Sequence, residues 1–422
     1  MDCRKLSNFA VEMVRLISIL MMMAFAFVGQ AQVSVHAPQS DVPDMAQDSL
    51  TVSLITKYPA AEVYQLYGHE AIRVKSATYD LAFDYGLFDF TAPNFIYRFV
   101  KGETDYMAGC HDFEMFMLSC ARDGAMVVEQ TLNLTDEEKH RLVESLMWDV
   151  QPQNRTYRYN YVKNNCATKV LDKLDAAVGQ PIAYDDSVRY GTYRKQLTHY
   201  GRNYAWYQFG IDMLLGSGLD YDLERREEMF VPVELMHSVE QVRLADGRRL
   251  VQKTEVIYEG RGDMTLPATP TIQSPLMVMW ALMVVVSVLT VVGLRRGKIF
   301  KGLYMFWYGL CGVVGCLVLF MVLASEHEAT SPNINVWWLN PSGLVVAALV
   351  CCRKVRRPLW WFMALKALSV IALIVVLPFQ AQVINIANYP LILIDLILSV
   401  AYLVNGENKD ILQSALAAFK RK

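Results

Sequence analysis

The sequence predicts an α+β exported domain followed by an all-α membrane domain of about five helices. Three observations lead there. The chain of 422 residues is 54% hydrophobic with a mean hydropathy of +0.21, more apolar than a water-soluble protein of ordinary composition. The excess is concentrated, because a polar, aromatic-rich stretch over 33–275 gives way to apolar runs at about 276–294, 303–324, 336–352, 359–379 and 389–404. Each run is near the length that crosses a hydrocarbon core of about 30 Å. The charge is sorted as well: the formal net charge of -2 combines 24 Lys+Arg and 35 Asp+Glu in 33–275 with nine Lys/Arg and three acids in 276–404. Such a balance excludes a strongly basic nucleic-acid binder and an acidic tail protein.

Residues 1–32 place Arg4, Lys5 and Arg15 ahead of the apolar run 16–28 and the small-residue site Gly29-Gln30-Ala31. This is the pattern of an export signal cut near Ala31, an uncleaved anchor being the alternative. Residues 33–275 then form the exported domain, 276–404 the membrane domain and 405–422 a tail. The third apolar run is the weakest, since Trp337, Trp338, Asn340 and Pro341 stand in its first turns; it reads as an interfacial start or a re-entrant segment. Eight of the nine membrane-domain cations fall in two loops, Arg295 to Lys301 and Arg353 to Arg357, and the loops 325–335 and 380–388 hold none. The basic loops and the Lys420-Arg421-Lys422 end are therefore cytoplasmic, and the 33–275 domain lies on the outer side.

Five of the eight cysteines fall in the signal or the membrane runs, leaving Cys110, Cys120 and Cys166 in the exported domain. Cys110 and Cys120 are close enough in sequence to form one bridge in an oxidising compartment, which makes Cys166 the odd thiol. Its surroundings mark it. An extended arm from Tyr157 ends at Asn164-Asn165, and Ala167, Val170, Leu171, Leu174 and Val178 then recur at helical spacing until Gly179 and Pro181. With Asn164 or Asn165 as N-cap, Cys166 occupies the first helical turn, where free backbone N–H groups and the helix dipole favour a thiolate and can hold an oxyanion.

A thiol nucleophile needs a base, and the exported domain offers His36, His69, His111, His140, His199 and His237. His69 follows Gly68 at the start of a strand-like run, and a second run, Tyr79–Gly86, comes next. A strand histidine facing a cysteine at a helix N-terminus is the papain-type solution to thiol activation, so the expected fold is papain-like or permuted NlpC/P60-like. Candidates to orient the imidazole are Asp84 or Asp80, which alternation puts on one strand face, Glu70, or Asn165. In the membrane part, Lys366 and Asp395 lie within apolar runs and are functional candidates on that account, although Lys366 stands where it can snorkel. Glu326, His327 and Glu328 are adjacent loop residues, which rarely converge on one ion, and no metal or cofactor is expected. An aromatic interface belt with capping asparagines accounts better for the 325–341 loop. A GxSxG elbow, an HExxH pair, a phosphate-binding glycine loop and a CxxC pair are all missing from the sequence, which argues against a serine hydrolase elbow, a zincin, an ATP-driven enzyme and a thioredoxin-type oxidoreductase.

Tyr67-Gly68-His69-Glu70-Ala71-Ile72-Arg73, Phe83-Asp84-Tyr85-Gly86, Tyr159-Asn160-Tyr161 with Asn165-Cys166-Ala167-Thr168, and the loop from Ala329-Thr330-Ser331-Pro332-Asn333 to Asn340-Pro341 together resemble the Lnb-type bacterial lipoprotein N-acyltransferases. The resemblance implies a multi-pass inner-membrane enzyme with a periplasmic catalytic domain. Its reaction moves an acyl chain from a phospholipid donor to the α-amine of a diacylated lipoprotein's diacylglyceryl cysteine. The family's catalytic histidine and cysteine fall on His69 and Cys166. A supporting role for His327 is less well matched, because Glu328 stands where the family pattern has a proline. The Asn165-Cys166 pair also looks like the thiol acyltransferases of the lecithin:retinol type, which work through a thioester. Two other readings use the same residues: a membrane-anchored cysteine hydrolase of the envelope, and a non-catalytic assembly or sensor protein in which Cys166 is structural.

Overall fold

The computed structural model describes residues 49–419 apart from 89–92, 180–181, 183, 186 and 262–266, so the expected export signal and the terminal basic cluster lie outside the described residues. Two compact units make up the chain. One takes in Tyr221–Pro267 and the described part of Gly29–Asn203; the other takes in Tyr204–Asp220 and the described part of Ala268–Lys422.

The first unit is built on seven strands, β1 (Thr51–Lys57), β2 (His69–Lys75), β3 (Asp80–Leu87), β4 (Asp105–Asp112), β5 (Val127–Leu132), β6 (Thr156–Arg158) and β7 (Val251–Tyr258). They pair antiparallel throughout, in the order β6-β4-β3-β2-β1-β5-β7. Its helices are α1 (Phe95–Lys101), α2 (Phe113–Asp123), α3 (Asp136–Asp149), α4 (Cys166–Val178) and α5 (Tyr193–Gly201). After α6 (Ala205–Leu214), which belongs to the other unit, come α7 (Arg225–Glu228) and α8 (Pro232–Gln241).

Strand alternation sorts the side chains onto two covered faces. Val52, Leu54, Ile72, Val74, Phe83 and Tyr85 share a core with the apolar sides of α3 and α4. Ile55, Ala71 and Ala82 point the other way and pack on Phe113, Phe116 and Cys120 of α2. Cys110 packs against the first core and Cys120 sits in the second, so the sheet lies between them. The bridge that their spacing allowed is not formed, and both are free thiols.

α4 forms where its periodicity predicts. Ala167, Val170, Leu171, Leu174, Ala177 and Val178 are buried, each large side chain contributing about 2 kcal/mol by burial. The Asn165 side-chain Oδ1 accepts from Thr168 N at 3.0 Å, and Thr168 Oγ1 accepts from Asn165 N at 2.8 Å, a reciprocal cap that fixes the first turn. Gly179, at φ 73, ends the helix in a conformation that favours glycine.

The second unit adds α9 (Pro275–Arg295), α10 (Lys301–Leu323), α11 (Ser342–Leu349), α12 (Arg356–Val376), α13 (Asn388–Val404) and α14 (Lys409–Phe419). Among the described residues three helices are long and apolar enough to cross a membrane. A fourth is added if the pair bent by 53° at Asn405 is one span. By length and apolar character, three or four of the expected five spans are met among the described residues: α11 of the third run is too short, and α13 of the fifth qualifies only when joined to α14. The eight-residue α11 is preceded by a 3-10 turn, Ile334–Trp337, because the asparagines there are bound elsewhere. Asn333 Nδ2 donates to the carbonyls of Met213 (3.0 Å) and Leu214 (3.1 Å), and Asn335 Nδ2 to Met213 O (3.2 Å). Gln382 Nε2 donates to Leu215 O at 3.1 Å. These side chains satisfy the carbonyls that the end of α6 leaves open. Gly216 follows, where a Cβ would come within 2.3 Å of Pro332 O. Gly312 and Gly343 likewise let α10 and α11 touch backbone to backbone, and Gly315 lets α10 meet the backbone of Asn340 just before α11. Lys366 does not snorkel: it is buried and pairs with Asp395 at 3.0 Å between α12 and α13.

Candidate active site

The helix start and the start of β2 bring the sequence-predicted thiol and imidazole together. Gly68, at φ 77, allows the chain to pass within 2.4 Å, measured from a would-be Cβ, of Lys57 O. Any side chain there would block the entry into β2 that orients His69. On β3, Gly86 has φ 94 and no side chain, and a Cβ at that position would lie 4.0 Å from Cys166 Cβ. Cys166 itself is partly exposed at the first position of α4.

Cys166 and His69 share a hydrogen bond, and the backbone N–H groups of Glu70 and Ala167 donate to the sulfur. Burial opposes ionisation of this thiol. The imidazolium and the two N–H groups outweigh it, so its pKa lies below the usual thiol value. Burial likewise pushes His69 down, and the Cys166 thiolate together with Asp84 reverses the sign, taking it up to about 10. Each group thus favours the charged form of the other, the arrangement that activates a thiol as a nucleophile.

Of the candidate orienters, Asp84 meets the ring: its Oδ2 lies 3.4 Å from His69 Nε2. Asp80 instead pairs with Arg73. Burial alone would raise Asp84, and the two histidines beside it, His111 and His69, bring it down to about 2. Glu70 points to the opposite sheet face, fully buried, with both carboxyl oxygens against Thr56 Oγ1 at 3.2 and 3.0 Å. Burial pushes its pKa well above the usual carboxylate range, and what it offers the site is its backbone N–H. Asn165 caps α4 and anchors the approach to it, with Nδ2 donating to Tyr161 O (3.1 Å) and Phe230 O (2.8 Å). The arm before it is less extended than expected: Asn160 and Asn164 bridge each other and close a turn.

His327 belongs to the helical unit, at the start of the 3-10 turn Glu328–Thr330, where its carbonyl accepts from Thr330 N and Oγ1. Among the described residues no group of His, Cys, Asp and Glu is arranged to hold a metal ion. Sequence reasoning did not single out His111, whose Nε2 lies 3.3 Å from Asp84 Oδ1. Its place depends on the pairing of Ala82 with His111 across β3 and β4, and strands about 30 residues apart carry no local signal of their register.

Two family models match this chain: that of the Lnb N-terminal periplasmic domain over residues 42–198, and that of the Lnb transmembrane domain over residues 268–409. The chain belongs to the Lnb family. The Lnb periplasmic match takes in His69, Asp84, His111, Asn165 and Cys166, and the Lnb transmembrane match takes in His327. It follows that the sheet-bearing unit is periplasmic and that this Lnb protein is held in a membrane. No curated protein and no solved structure matches the chain. The papain-like or permuted NlpC/P60-like fold expected for this Lnb domain therefore reduces to what the strands and helices themselves describe, an antiparallel sheet covered by helices on both faces.

Proposed function

We propose that this chain is a lipoprotein N-acyltransferase of the bacterial inner membrane, moving an acyl chain from a phospholipid to the α-amine of a diacylglyceryl-cysteine lipoprotein. The observation that carries this reading is the partly exposed Cys166 thiol at the start of α4, hydrogen-bonded to His69, in a periplasmic domain of the Lnb family. In this reading the Cys166 thiolate attacks an ester carbonyl of the phospholipid. The carbon–oxygen bond breaks, His69 gives its proton to the departing lysophospholipid oxygen, and a thioester remains on Cys166. The lipoprotein amine then attacks the thioester carbonyl, the neutral His69 takes the amine proton, and the amide product leaves the thiolate–imidazolium pair restored. The N–H groups of Glu70 and Ala167, which point at the sulfur at rest, are the donors nearest each tetrahedral oxyanion. Asp84 holds the imidazole ring in place and stabilises its charge. No step falls to His327, and the exchange of an ester for an amide needs no external energy source.

Support for a lipid substrate comes from the membrane unit, whose helices exceed what an anchor requires. The test is intact-mass analysis of lipoproteins from cells whose only copy of this protein carries Cys166→Ala. Loss of the N-acyl chain is expected. Retention of it would remove the proposal.

A further inference from the structure

We infer that His111 is a positioning residue for the same site, acting through Asp84 to set how strongly that carboxylate holds the His69 proton. The inference rests on the reading of Cys166 and His69 as the reacting pair. It starts from an asymmetry in Asp84. This side chain is 6% exposed, its Oδ2 faces His69 Nε2 at 3.4 Å, and its Oδ1 accepts no well-formed hydrogen bond. What faces Oδ1 is His111 Nε2 at 3.3 Å, within charge-pairing distance. One carboxylate therefore stands between two imidazoles, each partly open to water at 26% and 30% exposure.

The sheet is shaped to hold this arrangement. His69, Asp84 and His111 come from three adjacent strands and share the face covered by α2, where Phe116 packs beside the His69 ring. Opposite Asp84 in the β3–β4 ladder is Gly109. A Cβ there would stand 3.1 Å from His111 Cε1, 2.3 Å from Leu87 Cδ1 and 3.5 Å from Asp84 Oδ1. Glycine at that place makes room for the second imidazole against the carboxylate.

The consequence is electrostatic. A protonated His111 neutralises Asp84 and weakens its pull on the His69 proton, which makes His69 a better acid toward the leaving oxygen. A neutral His111 returns the full carboxylate charge to His69, which then holds its proton more firmly. The two histidines repel when both are charged, so their titrations are linked. Around His111 the charged groups are Asp84 on β3, His69 on β2 and Asp112 on its own strand. The Lys57–Asp123 pair lies further along the α2-covered face. Burial lowers the His111 pKa, and Asp84 more than offsets this, so it lies above the usual histidine value.

The experiment follows thioester formation on Cys166 by intact mass, in single turnover, using the full chain in mixed micelles with a synthetic phosphatidylethanolamine. The acylation rate of the wild type is expected to carry a step at a pH above about 6.5, in addition to any limb from Cys166 or His69. His111→Gln keeps an N–H donor toward Asp84 but cannot carry charge, and is expected to retain the rate within about threefold while losing the step. His111→Leu removes donor and charge, and is expected to lose the step and slow acylation by about tenfold. Persistence of the wild-type step in either variant would overturn the inference, because a merely structural histidine leaves the profile's shape alone. Failure of the wild type to form any thioester would instead overturn the reading of Cys166 and His69 itself.

Discussion

Each unit of this molecule buries an aspartate beside cations, and the two do so in opposite ways. In the helical unit, Asp395 and Lys366 are sealed between α12 and α13 at 2% and 8% exposure, 3.0 Å apart, with Tyr308 hydrogen-bonded to Ser399 alongside. In the sheet unit, Asp84 is as buried, yet its partners are two imidazoles at the rim of a partly exposed site. A lysine brings a charge that pairs with the buried carboxylate. An imidazole offers one that changes within the range where chemistry runs. The first arrangement suits holding helices together where no water can solvate a charge, and the second suits moving a proton, so burial of an acid alone does not mark a reactive site. What separates the two is the titratable partner and its access to solvent.

The comparison can be broken most forcefully on the structural side. Lys366→Met leaves Asp395 buried without a cation, and a loss of about 3–5 kcal/mol is expected, read as thermal unfolding in detergent. Adding Asp395→Leu in the same chain should recover most of that loss, with transfer per folded molecule unchanged in the double variant. If the double variant stayed as unstable as the single one, the pair would be more than a neutralised charge.

On the reactive side, Asp84→Asn is expected to slow acylation by roughly 10²-fold while the protein stays folded. Its pH signature has a definite sign. The Asp84 carboxyl is depressed from 3.8 to about 2, so its charge stabilises the folded protein above about pH 4 and that contribution fades as pH falls toward 2. Thermal melting between pH 5 and 2 should show this loss in the wild type and lack it in Asp84→Asn. The smallest effect is expected at Glu70→Gln. Because burial disfavours charge on the Glu70 carboxyl and its side chain faces Thr56 on the opposite sheet face, the amide should hold acylation within about threefold and leave the pH profile in place. A large change there would transfer to Glu70 a role now given to Asp84.

How much of this was legible in the sequence depends on the range of the interactions. Local signals worked. The spacing of Val170, Leu171 and Leu174, the Asn165 cap and Gly179 specify α4 from first turn to last, and with it the place of Cys166. Alternation put Asp84 on the face opposite Phe83. The choice among Asp84, Glu70 and Asn165 could not be made, because it turns on which strand face borders the imidazole and on what else binds each side chain. The same limit hid His111 and allowed a Cys110–Cys120 bridge that the intervening sheet forbids. Hydropathy counted five apolar runs. It could not see that Asn333 and Asn335 are engaged with the end of α6, which leaves α11 at eight residues.

The central claim is that Cys166 carries the acyl group. Its most direct test is to incubate the full chain with a phospholipid, quench in acid and map the modified residue by mass spectrometry, with hydroxylamine to release a thioester. One fatty-acyl mass on Cys166, lost on hydroxylamine treatment and absent from His69→Ala, is the predicted result. An unmodified Cys166 in a protein that still transfers acyl chains to lipoproteins would contradict it.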